Sequence, residues 1–248
     1  MHMVDAVPGS AADDVRLANQ HSYGDGETVR GYLADAYHRR RRDIAVRMLD
    51  GTLRGQPPGP VLELGAGSRS MLGSRLDGRP VILSDLAVAA LRAARGPEGP
   101  AVCLDAARPL PFRDESLAGV VMGDLIEHLY DPRRLLRECH RILRPAGVLV
   151  VTTPNLASLQ DRMRFLLGHS PRQVDPLHPY LWLHIRPFTA SLLARLLRSA
   201  ALEPTAVRSN YVVWRLPSGR WLRSGALARI APGLGGSLVM AARKPPSL

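Results

Sequence analysis

The stretch Val61-Leu62-Glu63-Leu64-Gly65-Ala66-Gly67 constrains the fold of this chain more than any other. A short apolar run between Pro60 and Gly65 reads as a fully buried parallel strand, and the Gly-x-Gly that follows reads as a tight turn whose backbone approaches a ligand closely. In an open α/β sheet such a turn sits at the carboxyl end of the first strand, beside the point where strand order reverses. Nucleotide-like cofactors bind there.

The following segments repeat the pattern. Val81-Ile82-Leu83-Ser84-Asp85 is a second apolar run ending in a carboxylate, at close to the ~20-residue separation from the glycine turn that dinucleotide-binding folds use for a ribose-binding acid. Ala101-Val102-Cys103-Leu104 is a third strand ending in Asp105, and residues 117–122 form a fourth, followed by Gly123-Asp124-Leu125-Ile126-Glu127-His128-Leu129. Asp131-Pro132 opens a helix with proline at its first position that runs to about Leu143, and residues 148–152 form a fifth strand. Residues 68–76 leave room for a short helix, 86–94 predict another, and 95–100 form a Gly/Pro loop.

Outside this core, residues 1–24 are polar, with capping-box spacing at Ser10 and Asp13. Val29, Leu33, Tyr37, Ile44 and Met48 predict an amphipathic helix over 27–49, ending before Asp50-Gly51. Its aromatics Tyr32 and Tyr37, with Tyr23, either line a substrate cavity or pack on the sheet edge. Residues 1–55 are therefore read as a helical cap and 56–248 as the main domain. An insertion at about 156–185, with an apolar helical face of Leu156, Leu159, Met163, Phe165, Leu166 and Leu167, reads as a lid. A helix capped by Thr189 follows, then strands over 206–214 and 237–242. Between these strands, residues 215–234 mix Trp221 and Leu222 with arginines; a basic surface loop is favoured over a helix touching anionic membrane.

Charge could suggest a polyanionic partner, since the formal net charge is +11. Of the 33 basic residues, however, Lys244 alone is lysine, a bias that points to a GC-rich genome. The arginines are dispersed apart from Arg39-Arg40-Arg41-Arg42, which is read as a solvated helix face, so nucleic acid is weighed down as a partner. Cys103 and Cys139 lack CxxC spacing and read as packed thiols. With no signal peptide or spanning segment in the sequence, a cytoplasmic location is expected.

The ordered set VLELGAG, ILSD, CLDAARPLPF, GDLIEHL and LVVTTPN closely resembles the class I S-adenosylmethionine-dependent methyltransferases, in particular the type 11 methyltransferase domain, over roughly residues 60–155. The resemblance implies a Rossmann-like, doubly wound, mostly parallel seven-stranded α/β sheet with an antiparallel C-terminal strand pair and a helical lid. It implies S-adenosylmethionine as cofactor and S-adenosylhomocysteine as product. Carried over by position, Glu63, Gly65, Ala66 and Gly67 belong to the turn at the methionine end. Asp85 matches the ribose acid with Leu86 beside the adenine, Asp105 and Ala106 match the adenine-recognition pair, and Gly123 and Asp124 lie near the sulfonium. Two departures stand out. Arg69 replaces a third glycine, and its side chain either swings outward or reaches the methionine carboxylate; Leu117-Ala118 replaces an aromatic-acidic pair. A nicotinamide or flavin dinucleotide is the competing cofactor and fits worse, because Ser70 stands where its fingerprint requires Gly or Ala.

Methyl transfer is an in-line displacement and needs positioning more than an enzyme nucleophile. If the acceptor is a hydroxyl, His128 or His184 is the candidate base, with a structural tie as the alternative role for each. Asp124, Glu127 and His128 also have metal-site spacing, and some relatives acting on catechols or RNA ends bind metal through similar residues. Hard cations need more oxygen ligands than this segment supplies, so no metal is assigned. The reading is a bacterial methyltransferase of secondary or cell-envelope metabolism acting on a small-molecule acceptor, with oxygen favoured. An RNA methyltransferase and a catalytically silent cofactor-binding regulator are the alternatives. Oligomeric state is not legible.

Overall fold

The structure is a computed structural model that describes residues 35–94, 99–178, 181–216 and 218–246. Expectations for residues 1–34, among them the Ser10 cap, Tyr23 and Tyr32, and for most of the 95–100 loop lie outside the described residues.

Five parallel strands form the centre: β1 (Val61–Leu64), β3 (Arg79–Asp85), β4 (Ala101–Cys103), β5 (Leu117–Gly123) and β6 (Leu143–Pro154). They lie in the order β4-β3-β1-β5-β6, continued by β10 (Ser237–Arg243), antiparallel to β6, and by β7 (Glu203–Ser209), antiparallel to β10. A two-residue strand, β2 (Arg75–Leu76), folds back on the start of β3. Because β3 and β5 flank β1 on opposite sides, the carboxyl end of β1 lies at the point where strand order reverses. This is the expected doubly wound α/β sheet with its terminal antiparallel pair.

Period-two alternation divides the core between the two faces of the sheet. Leu62, Leu64, Val120, Met122, Leu149 and Val151 pack with α3 (Pro132–Ile142) and α5 (Ala190–Arg198). Val61, Val81, Leu83, Val121 and Val150 pack with α1 (Ala36–Leu53) and α2 (Val88–Ala94). α1 runs through Asp50-Gly51 instead of stopping before it, because Ala45, Leu49 and Leu53 are all buried against the sheet. That burial outweighs the roughly 1 kcal/mol cost of a helical glycine. The described helix of the expected N-terminal cap thus packs into the core on one face of the sheet.

Other departures have local causes. Residues 68–74 form turns and not a helix, because the Glu63 carboxylate collects the Ser70 hydroxyl and the backbone N–H groups of Met71 and Leu72. The strand expected over 206–214 is broken at Asn210, whose Oδ1 accepts the N–H groups of Tyr211 and Ser237 while Nδ2 donates to the Tyr37 carbonyl. Residues beyond the break form a separate hairpin, β8 (Val212–Arg215) with β9 (Trp221–Ser224), followed by α6 (Gly225–Ile230). The 215–234 stretch is thus hairpin and short helix, not a plain loop. Cys139 is buried as expected, but Cys103 is exposed on β4.

In the 156–185 segment, Ser158 caps α4 (Leu159–Leu166), its hydroxyl donating to Asp161 at 2.7 Å and accepting the Asp161 N–H at 3.2 Å. Leu156, Leu159 and Met163 are half-buried, whereas Phe165, Leu166 and Leu167 face solvent, so the expected apolar face is shorter than the sequence suggests. Among the described residues no helix is long and apolar enough to cross a membrane.

Candidate active site

All twelve residues singled out from the sequence line one cavity of about 810 Å³ at the carboxyl edge of the sheet. The cavity has two halves of different origin.

The first half is made by strand ends. Gly65 and Gly67 have φ of +70° and +59°, a left-handed backbone that strains any other residue. The Ala66 N–H donates to the Ser84 carbonyl at 2.9 Å, and the Gly67 N–H donates to Asp85 Oδ2 at 2.8 Å. Asp85 Oδ1 accepts the Ala87 N–H at 2.8 Å, so this carboxylate ties the glycine turn to the approach of α2. Each oxygen retains a second lone pair for a ligand hydroxyl. Space beside the Gly67 Cα is open, as close approach of a ligand requires. Leu86, Asp105 and Ala106 complete this side, Asp105 being held by the Ala107 N–H at 2.9 Å. Glu63 works from below: it is 1% exposed, burial raises its carboxyl above the ordinary range, and its oxygens are engaged by the loop it shapes. Arg69 is exposed at the rim and does not plug the cavity. These features fit a molecule with a vicinal diol and a flat base, as in the adenosine part of S-adenosylmethionine.

The second half is assembled from distant segments. Gly123 is closely approached, since a Cβ there would meet the Met71 methyl at 2.5 Å. Asp124 adopts φ +49°; its N–H donates to the Thr152 carbonyl at 3.0 Å, and its Oδ1 accepts the Thr152 hydroxyl at 3.2 Å. Its other oxygen is ion-paired with Arg41, which is 4% exposed. Sequence reasoning placed Arg41 on a solvated face and so missed it. A signal was present: Arg41 stands four residues before Ala45 on the stripe that continues to Leu49 and Leu53, so it had to point inward with them. Arg42 donates to the Ser70 carbonyl at 3.1 Å, and Arg40 lies over the Tyr211 ring at 4.8 Å. Tyr37 lines the cavity, its hydroxyl bonded to that of Ser237.

His128 and His184 meet edge to face at 5.0 Å between ring centres. His128 sits in a 3-10 turn after β5 with Nδ1 at 3.1 Å from the Leu183 carbonyl, which can only accept, so Nδ1 carries the proton. Burial, reinforced by the neighbouring His184, drives the His128 imidazole down to about 3, and burial lowers His184 too. Both rings are therefore neutral near pH 7, and His128 is far less basic than an efficient general base at that pH. Beside them Glu127 is 1% exposed, with burial and then the nearby Asp124 charge raising its carboxyl well above the usual range. The 156–185 segment contributes Ser158, Asp161, Gln173 and His184 to the wall, and the β9 residues Trp221 and Arg223 close it.

Comparison with known proteins gives a consistent picture. Residues 62–151 match the model of a family described as a methyltransferase domain. The chain is 40% identical over 94 residues to a probable S-adenosylmethionine-dependent methyltransferase of Mycolicibacterium smegmatis, covering 38% of this chain and 32% of that protein. It is 30% identical over 129 residues to a malonyl-[acyl-carrier protein] O-methyltransferase of Methylococcus capsulatus, covering 49% of this chain and 47% of the relative. The chain thus spans about a third of the length of the mycobacterial relatives it matches. Among solved structures, the 1,6-didemethyltoxoflavin-N1-methyltransferase of Burkholderia thailandensis, bound to S-adenosylhomocysteine, superposes with a TM-score of 0.62 at 22% identity over 98% of both chains. A methyltransferase of Thermotoga maritima described as a possible histamine N-methyltransferase gives a TM-score of 0.65 at 20% identity, covering 92% of this chain and 99% of the other. At these identities the structural likeness speaks for the fold.

Proposed function

Because the chain carries a class I S-adenosylmethionine-dependent methyltransferase domain of the type 11 family, we propose that the protein transfers a methyl group from S-adenosylmethionine to a small-molecule acceptor, with oxygen the favoured atom. The observation that carries this reading is the continuity of the cavity: the residues matching the family's cofactor motifs and a second wall built from α1, the 156–185 segment and β9 enclose one space.

When bound, the cofactor supplies an electrophilic methyl on a sulfonium. The protein's part is to hold and to exclude. Asp85 is the acceptor for a ribose diol, Asp105 and Ala106 flank the base, and the left-handed glycine turn removes side chains from the path of the methionine end. Asp124, held by Thr152 and Arg41, puts negative charge in the wall beyond Gly123 without projecting a free carboxylate. Enclosing the acceptor between the 156–185 segment and the sheet replaces water with fixed groups, so most of the acceleration comes from positioning. A hydroxyl acceptor has to lose its proton; of the two imidazoles, His184 is the less buried and is the candidate base, with His128 tying the segment down through Leu183.

Oxygen as the target is favoured by the relative from Methylococcus, named as an O-methyltransferase. RNA as the acceptor is disfavoured, since four arginines of the cavity wall are engaged within the chain: Arg41 with Asp124, Arg42 with Ser70, Arg172 on the Trp221 ring and Arg223 with Asp35. A silent regulator is disfavoured because neither Arg69 nor Tyr37 fills the cavity. A cytoplasmic bacterial enzyme of secondary or cell-envelope metabolism fits this reading.

Calorimetric titration with S-adenosylmethionine, S-adenosylhomocysteine and NAD, followed by mass spectrometry of candidate acceptors for methyl gain, tests it. Binding of the two sulfur compounds and not of NAD, with methyl gain on a hydroxyl compound, is expected. Failure to bind either sulfur compound would overturn the donor assignment, and methylation confined to nitrogen would overturn the oxygen assignment.

A further inference from the structure

We infer that the face formed by α4, residues 172–182, the β8–β9 hairpin and α6 docks on an anionic lipid bilayer, with the mouth of the cavity turned towards it. The inference goes beyond the methyltransferase reading and does not depend on it.

Exposed apolar side chains are not spread evenly over the molecule. Of the thirteen large ones on the described surface, ten fall within residues 159–182 and 221–230. Phe165, Leu166, Leu167, Leu177 and Ile230 are each at least 69% exposed. The two stretches are neighbours: α4 and α6 both pack against β8, and the Arg172 guanidinium lies over the Trp221 ring at 5.6 Å. They also frame the cavity, since Arg172, Leu181, Trp221 and Arg223 line it. A surface that meets only water scatters such side chains singly, so their concentration around one opening marks an interaction surface.

Charge selects the partner. Residues 159–182 and 219–230 carry six arginines, Arg162, Arg164, Arg172, Arg220, Arg223 and Arg229, against two carboxylates, Asp161 and Asp175. Asp161 is buried and accepts the Ser158 hydroxyl and the Arg172 N–H, while Asp175 accepts the Leu177 N–H. Among the described residues, Arg223 alone of the six is ion-paired, with Asp35. Positive charge therefore stands in excess beside exposed hydrocarbon. That combination binds anionic headgroups while the apolar side chains enter the boundary of the acyl chains. Arginine suits such a boundary, because its stem lies along apolar surface while its guanidinium stays at headgroup level. An acidic protein would have to offer a fitted pocket to each apolar side chain, since the core of a protein interface is packed like an interior. Leu177 and Ile230, the most exposed of the ten, project from the surface, and a fluid bilayer receives them without a matching shape.

The test floats the full chain with vesicles of phosphatidylcholine, alone or with ~30% phosphatidylglycerol, at low and high salt. Binding to the anionic vesicles is expected, at least ~tenfold tighter than to phosphatidylcholine alone and weakened by salt. Combining Arg220→Gln with Arg229→Gln should weaken it ~25-fold, at about fivefold per arginine. Combining Phe165→Ser with Ile230→Ser should weaken it at least ~tenfold by removing the inserted hydrocarbon. Leu192→Ser, at an exposed leucine of α5 outside the face, should leave it unchanged. All five side chains are exposed, so thermal melts should show every variant folded. Failure of the folded protein to float with the anionic vesicles, equal binding to phosphatidylcholine alone, or binding that survives both double variants would overturn the inference. Retention on immobilised poly-L-glutamate as tight as on the anionic vesicles would assign the face to an acidic protein and overturn it as well.

Discussion

The two halves of the cavity are held by different kinds of interaction. The donor half is backbone and strand ends: Gly65, Gly67, Asp85 and Asp105 each follow closely on a strand or its turn, and the two carboxylates accept backbone N–H groups of Gly67, Ala87 and Ala107. The acceptor half is side chains from far apart: Arg41 of α1 meets Asp124 after β5, and His128 meets His184 across the 156–185 segment. A site made of strand ends is specified by the sheet itself. A site made of side chains from separate elements depends on every packing contact that brings those elements together, so substitutions should separate the two halves.

The largest expected effect falls on the acceptor half. Arg41→Ala leaves the Asp124 carboxylate unpaired in a largely buried setting, and breaking such a pair costs ~3–5 kcal/mol. Urea denaturation should show that loss, while the surviving folded fraction still binds S-adenosylhomocysteine. Equal loss of nucleoside affinity and stability would break the distinction between the halves. Asp85→Ala is the converse case. It removes the carboxylate that holds the glycine turn and that is proposed to accept the ribose hydroxyls; charge-assisted hydrogen bonds of that kind are worth ~1.5–3 kcal/mol, so nucleoside affinity should fall roughly 10- to 100-fold by calorimetry. Acceptor-side geometry should persist, visible as unchanged fluorescence of Trp221, which closes that wall.

A smaller effect is pH-linked. Burial and the Arg41 guanidinium hold the His38 imidazole down to about 4, against 6.5 in the unfolded chain. Between those values the unfolded state binds the extra proton, so this contribution to stability is complete above pH 6.5 and is lost as pH falls towards 4. With partial solvent screening, ~1 kcal/mol is expected, and His38→Gln should flatten the stability profile over that window by that amount. The smallest effect sits outside the comparison. Phe165→Ser, at a side chain 71% exposed, should change stability by less than ~0.5 kcal/mol in thermal melts and leave nucleoside binding unaltered. A larger loss would mean that this end of α4 braces the cavity wall.

The same division marks what could be read in advance. β1, β3, β5 and α3 were legible because a buried strand flanked by Pro and Gly, or a helix opened by Asp-Pro, carries its signal within a few residues. α1 was misjudged at Asp50-Gly51 because a local helix-ending signal was outweighed by burial of Leu49 and Leu53 against the sheet. Residues 68–74 were misjudged because Glu63, inside a strand, gathers that loop around its carboxylate. The break at Asn210 depends on Tyr37 and Ser237, both far away in the chain.

By itself, the sequence determined the sheet, its switch point and the strand-end residues that line one side of the cavity, since alternating burial, turn glycines and strand-end carboxylates act over short distances along the chain. Tertiary structure alone decided which carboxylate Arg41 engages, and that His184 stands beside Glu127 and His128. Those outcomes depend on how α1 and the 156–185 segment pack onto the sheet. Packing is a sum of many weak contacts between distant residues, and no short stretch of sequence carries its record.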